Sequence, residues 1–179
     1  MALLGSVMKL LLHACCAPCS IQCVESLVAE GIKPDLFWYN PNIHPCTEYH
    51  SRLDALCIFA EDKKLPLVIE DAPCINSVVK NCALCYRRRL KKAASLALEK
   101  GFDAFSTTLL ISPYQNHELI RQTGEELAAA HGIEFLYRDF RPRFRKGQNQ
   151  ARQAGYYMQK YCGCIHSEEE RSLARRGGK

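Results

Sequence analysis

The sequence predicts an α/β fold: a mostly parallel five-stranded sheet with helices on both faces, followed by a C-terminal helical segment. Three observations carry this. Short apolar runs alternate with amphipathic stretches at helical spacing, the pattern of strands joined by crossover helices. The first run, VMKLLLH, reads as a buried strand, as expected in a sheet covered on both sides. The chain has 179 residues, 47% hydrophobic and 24% charged, enough for one filled core and hence one expected α/β domain over 1–179.

Taken in order, the first strand spans Val7 to His13. A proline-containing turn at Cys15 to Ser20 follows, then a helix to about Glu30, where Ile21, Val24, Leu27 and Val28 recur at helical spacing and Gly31 stops it. Asp35 to Tyr39 is the second strand. NPNIHP after it is a stiff loop, its prolines and asparagines resisting regular structure. Thr47 to Lys64 carries the apolar stripe Tyr49, Leu53, Leu56, Cys57 and Ala60, the mark of an amphipathic helix.

Leu67 to Glu70 makes a short third strand, and Cys82 to Lys100, rich in Ala, Leu, Arg and Lys, a long helix closed by Gly101. The fourth strand runs from Ala104 to Leu110. ISPYQN is a loop, His117 to His131 a helix, and Ile133 to Tyr137 the last strand. The segment from about 140 to 179 is basic and less regular, with a final helix expected at Ser167, where Ser167 and Glu170 match a capping box. In open parallel sheets ligands bind beyond the carboxyl ends of the strands, so the loops ACCAPC, NPNIHP and ISPYQN share the functional rim.

The longest apolar runs are far shorter than a membrane span, and MALLGSVMKLLLHA lacks a basic region ahead of its apolar stretch, so it reads as strand and not as a cleaved leader. Net charge is a mild +5, from 24 basic and 19 acidic residues. The basic residues cluster in YRRRLKK, YRDFRPRFRK and RSLARRGGK, two of them interleaved with aromatics. Such clusters suit both solvated helix faces and contacts to phosphates and unpaired bases.

The eleven cysteines are the loudest compositional feature. An odd count with no export signal points away from a disulfide scaffold and toward metal ligation or thiol redox chemistry. Three clusters stand out: Cys15, Cys16 and Cys19; Cys82 and Cys85; Cys162 and Cys164. The CxxC at Cys82 and Cys85 lets both sulfurs meet one centre, and Cys15 with Cys16 could complete four thiolates, a set that suits zinc and iron–sulfur alike. A metal-free thiol enzyme is the third reading. In YCGC, Gly163 lets two thiols approach, so the pair could carry two electrons as a disulfide or serve as further ligands. Cys57 reads as core, and Cys23, Cys46 and Cys74 receive no role.

LLHACCAPC, FWYNPNIHPCTEYHSR, CALCYRRRL, FSTTLLISPYQN and YYMQKYCGCIHS occur in order over nearly the whole chain, and together they resemble the epoxyqueuosine reductase QueH family. The resemblance implies a cytoplasmic enzyme that removes the epoxide oxygen of epoxyqueuosine at the tRNA wobble position, the last step of queuosine biosynthesis. It implies a [4Fe-4S] cluster, an additional iron ion and no cobalamin. It also implies a PP-loop or HUP-like fold whose first rim loop carries cysteines in place of a phosphate loop, hence no ATP.

Carried over by motif, Cys15, Cys16, Cys82 and Cys85 hold the cluster and Cys162 with Cys164 form the redox pair, Cys19, Cys162 and Cys164 being the candidates for a second iron. Tyr39, Asn40, Asn42 and Tyr114 are candidates to line the base pocket, and His13, His44, Tyr114 and Asp139 to donate protons. Arg87, Arg88, Arg141 and Arg143 are candidates for tRNA phosphates. The partners expected are tRNA and an unidentified electron donor, with no membrane. The rival reading is a zinc-stabilised RNA-binding module without redox activity.

Overall fold

The computed structural model describes residues 8–72 and 80–177. Five parallel strands form one sheet: β1 (Leu10–His13), β2 (Asp35–Trp38), β3 (Leu67–Ile69), β4 (Ala104–Thr107) and β5 (Glu134–Phe135), in the order β3-β2-β1-β4-β5. β1 is central, pairing His13 with Phe37 on one side and Thr107 on the other. Leu10, Leu11, Leu12 and His13 are wholly buried, which is why this strand is continuously apolar up to its end.

The crossovers are α1 (Ala17–Ala29), α2 (Cys46–Lys63), α3 (Cys82–Glu99) and α4 (His117–His131). Two more helices, α5 (Phe144–Gln153) and α6 (Ile165–Gly177), follow β5 among the described residues. α1 packs against α2 and α5, and α3 against α4. Because parallel crossovers are right-handed, the two connections leading from β1 toward β3 cover one face and the two from β3 to β5 the other. The order therefore reverses between β1 and β4, and the crevice at their carboxyl ends is the switch point where open sheets bind ligands.

The strand and helix pattern agrees with the sequence reading, with four corrections. β4 stops at Thr107, short of Leu110, because the Thr107 hydroxyl accepts from Leu109 N and bends the chain into a 3-10 turn over Thr108–Ile111. α1 begins at Ala17, with Cys16 as its N-cap, so Cys19 lies in the first helical turn and not in a loop. α6 begins at Ile165: the Ser167 hydroxyl donates to Cys164 O instead of capping from Ser167 onward. α5 was not foreseen. It packs through Gly147 and Ala151, whose small side chains leave no apolar stripe, and a Cβ on Gly147 would meet Gln22 Cγ and Pro18 O at 3.3 Å.

The core face of α2 also departs from expectation. It includes Glu48, Arg52, Ala55 and Phe59, whereas Cys57 is half-buried. No helix among the described residues is long and apolar enough to cross a membrane. The start of β1 expected at Val7, and Cys74, lie outside the described residues.

Candidate metal and redox site

Cys15 follows β1 directly, and Cys16 caps α1 by accepting from Cys19 N at 3.3 Å, with Pro18 in the first helical turn. This local geometry gathers three sulfurs at a helix N-terminus, where the dipole favours negative charge. Sγ atoms of Cys15, Cys16 and Cys19 all lie within 4.8 Å of one another, those of Cys15 and Cys16 at 3.8 Å, and all three side chains are buried. Thr108 ties β4 to this loop: its hydroxyl accepts from Cys15 N at 3.1 Å and donates to Cys15 Sγ at 3.3 Å. Gln159 Nε2 donates to Cys16 Sγ at 2.7 Å and reaches Cys19 Sγ at 3.4 Å.

Hydrogen bonds from Cys16 and Cys19 pull the Cys15 thiol well below its usual value. Burial pushes Cys16 up, and the bond to Cys15 pushes Cys19 up. Three buried sulfurs converging at a helix N-terminus form a ligand set suited to a soft metal, bound with loss of thiol protons, and they fit an iron–sulfur or zinc centre.

The remaining predicted thiols gather on one pocket, lined among others by Asn42, Cys82, Cys85, Arg89, Cys162 and Cys164. Cys82 and Cys85 occupy the first turn of α3, capped by Asn81, whose side chain accepts from Leu84 N. Cys85 thus sits one turn before Arg89, whose Nη1 stands 3.9 Å from its sulfur. The sulfurs of Cys15 and Cys16 converge with that of Cys19, and Cys82 and Cys85 share a pocket with Cys162 and Cys164.

The YCGC loop depends on glycine. Gly163 has φ 124°, its carbonyl accepts from His44 N at 2.7 Å, and a Cβ there would meet Ile43 Cγ1 at 3.1 Å and Arg52 Nη1 at 3.2 Å. Arg52 clamps the loop from α2, donating from Nη1 to Cys162 O and from Nη2 to Tyr161 O, both at 3.0 Å, and from Nε to Glu48 at 2.7 Å. Tyr157 donates to the other Glu48 oxygen. The bond between the paired thiols pushes Cys162 up and draws Cys164 down to about 5. Gln115, which accepts from the Tyr86 hydroxyl, donates to Cys162 Sγ at 3.4 Å.

The candidates for base contact separate. Asn42 lines the pocket, and both polar atoms of its amide are buried without a partner. Asn40 is fully buried and occupied, donating to Ala14 O at 2.9 Å and accepting from Arg89 at 2.7 Å. Tyr39 stacks on Phe37, and Tyr114 is 86% exposed beside Phe144.

Of the proton-donor candidates, His13 is held neutral: burial first, then the nearby Arg89 charge, lowers its pKa to about 3. Asp139 is ionised through its bond to Arg141, and His44 faces Glu168 at 3.5 Å. Arg87 pairs with Glu126 and Arg141 with Asp139, leaving Arg88 and Arg143 exposed and without an ion-pair partner among the described residues. Cys23 is fully buried, and Cys46 is an exposed residue at the start of α2.

Sequence reasoning passed over Arg52, Arg89, Thr108, Gln115 and Gln159. For Arg89 a signal existed, because Tyr86, Arg89, Ala93 and Ala97 recur at helical spacing along α3 and all are buried. Arg52 likewise falls one turn from Glu48 on the core face of α2.

Residues 10–170 match the family model described as Epoxyqueuosine reductase QueH. The chain belongs to that family. A relative named epoxyqueuosine reductase QueH from Dehalococcoides mccartyi is 36% identical over 171 residues, covering 91% of this chain and 94% of the relative. One of the same name from Acinetobacter baylyi is 37% identical over 175 residues, covering 89% and 80%. Among solved structures, the U34-tRNA thiolase NcsA from Methanococcus maripaludis with its [4Fe-4S] cluster superposes with a TM-score of 0.59 at 15% identity. That likeness covers 86% of this chain and 58% of the thiolase, and it shows a shared fold.

Proposed function

We propose that this chain is an iron–sulfur-dependent epoxyqueuosine reductase acting on tRNA, removing the epoxide oxygen at the wobble nucleoside to leave queuosine. The observation that carries the reading is the buried triad of Cys15, Cys16 and Cys19 at the switch point of a chain belonging to the QueH family. The strand order and the likeness to NcsA support a PP-loop or HUP-like architecture acting as one catalytic domain over 1–179, its 140–179 segment carrying the CGC motif. The rim loop bears cysteines in place of a phosphate cradle, so the reaction uses no ATP; the family resemblance implies no cobalamin and a cytoplasmic enzyme.

The reaction requires two electrons and two protons: both C–O bonds of the epoxide break, a C=C bond forms, and the oxygen leaves as water. Cys15, Cys16, Cys82 and Cys85 would hold a [4Fe-4S] cluster, and Cys19, Cys162 and Cys164 would be available to an additional iron. When bound, such a group supplies single electrons and Lewis acidity. The chain's own contribution is the Cys162 and Cys164 dithiol, whose closure to a disulfide releases two electrons and two protons and balances the deoxygenation. Gly163 and Arg52 hold those thiols at the pocket. Gln115 keeps the Cys162 sulfur hydrogen-bonded, and an external electron donor then reopens the disulfide. Asn42 offers its unpaired amide to the base, and Arg88 and Arg143 contact phosphates.

The alternative of a zinc-stabilised RNA-binding module draws on the 3.8 Å spacing of Cys15 and Cys16, which also suits two sulfurs on one tetrahedral ion with bonds of about 2.3 Å. Turnover separates the two. The metal-loaded chain, given a chemical reductant and tRNA bearing epoxyqueuosine, should yield a nucleoside lighter by one oxygen in a mass-spectrometric digest. An unchanged nucleoside would contradict the enzyme reading.

A further inference from the structure

Arg89 lies inside the molecule, 2% exposed, on the face of α3 turned to the sheet. Among the described residues no carboxylate comes within 4.0 Å of it. Its Nη2 donates to Asn40 Oδ1 at 2.7 Å, its Nη1 stands 3.9 Å from Cys85 Sγ, and its Nε is buried with no partner. A guanidinium stays charged at any pH a protein meets, and burying it without an anion costs several kcal/mol. The groups around it that can become anionic are sulfurs: Cys85 and Cys162 line the same pocket as Arg89, and Cys15 lies close enough to act on its charge.

These three sulfurs come from three segments, namely the first turn of α3, the loop after β1 and the YCGC loop. Asn40 aims the arrangement. Its amide is fixed by donating to Ala14 O, in the chain segment that carries Cys15, which leaves its oxygen toward Arg89.

We propose that Arg89 is the built-in countercharge of the sulfur site and that it sets the reduction potential of the iron–sulfur group held there, acting through the sulfurs and not on the substrate. Adding an electron makes a thiolate-ligated centre more negative, and a fixed positive charge in a low-dielectric surrounding favours that state. The inference rests on the iron–sulfur reading given above.

The test compares wild type, Arg89→Gln, Arg89→Lys and Asn40→Asp, each reconstituted without air. Iron and sulfide per chain are counted, and the midpoint potential is followed by spin resonance and visible absorbance. Asn40→Asp keeps the guanidinium and the volume but sets a carboxylate against it, so it decides the matter if Arg89→Gln does not fold. The expected result is a more negative midpoint in Arg89→Gln and Asn40→Asp, with Arg89→Lys close to wild type. A wild-type midpoint in Asn40→Asp or Arg89→Gln at full iron and sulfide overturns the proposal and leaves the family reaction standing. Wild-type protein without iron and sulfide overturns both. A purely structural Arg89 would lower the melting temperature and leave the midpoint unmoved, which also refutes it.

Discussion

Cys15, Cys16 and Cys19 are buried where the central strand meets the first helix, whereas Cys162 and Cys164 ride on an irregular loop between α5 and α6. The first group is placed by backbone: a strand end, an N-cap and one helical turn bring its sulfurs together. The second is placed by side chains reaching across the fold, above all the Arg52 fork on two loop carbonyls, and by the one residue type that tolerates φ 124°. A site fixed by backbone is suited to holding a group permanently. One fixed by a clamp can open and close a bond without disturbing the core.

Substitutions should separate the two regions, and the largest effect belongs to the buried triad. Cys15→Ser or Cys16→Ser should strip iron, sulfide and visible absorbance from the chain and abolish turnover, as metal analysis and spectra would register. Cys162→Ser or Cys164→Ser should also abolish turnover yet keep the absorbance; losing it would move these thiols into the ligand set and erase the distinction drawn here.

Arg52→Ala attacks the clamp without touching a sulfur. It leaves Glu48 buried and unpaired, and it removes the donors to the Tyr161 and Cys162 carbonyls. Removing one partner of a buried pair costs about 3–5 kcal/mol, measurable by denaturant unfolding. Because Arg52 makes none of the hydrogen bonds that gather the triad, a variant that still folds should retain iron and sulfide while turnover drops. Gly163→Ala should act in the same direction but less strongly, straining the loop and pressing on Ile43 and the Arg52 guanidinium.

The smallest effects belong to the exposed arginines. Arg88→Ala or Arg143→Ala should each weaken tRNA binding evenly across sequences and reduce the slope of log affinity against log salt by about 1. Arg87 and Arg141 already have carboxylate partners, so their removal should change that slope less.

The fold was largely legible because its core strands and helices are written in apolar spacing. α4 spans His117–His131 as expected, and β1 is apolar because it is buried on both faces. α5 escaped for a physical reason: its contact face is Gly147 and Ala151, and close packing through small residues leaves no hydrophobic stripe to read. The site was half legible. Cysteines announce themselves by spacing, but Arg52 and Arg89 do not, because charge in a basic run reads as surface. Only helical phase, which sets Arg89 in line with Tyr86 and Ala93, reveals that one arginine of YRRRL is interior. Asn40 looked like a base contact because it sits on the rim, and the structure spends its amide on Ala14 and Arg89.

The most direct test of the account is the metal content of the wild-type chain purified without air. A brown protein with about four sulfides and at least four irons per chain is the predicted result. A colourless protein holding zinc and no sulfide would contradict it.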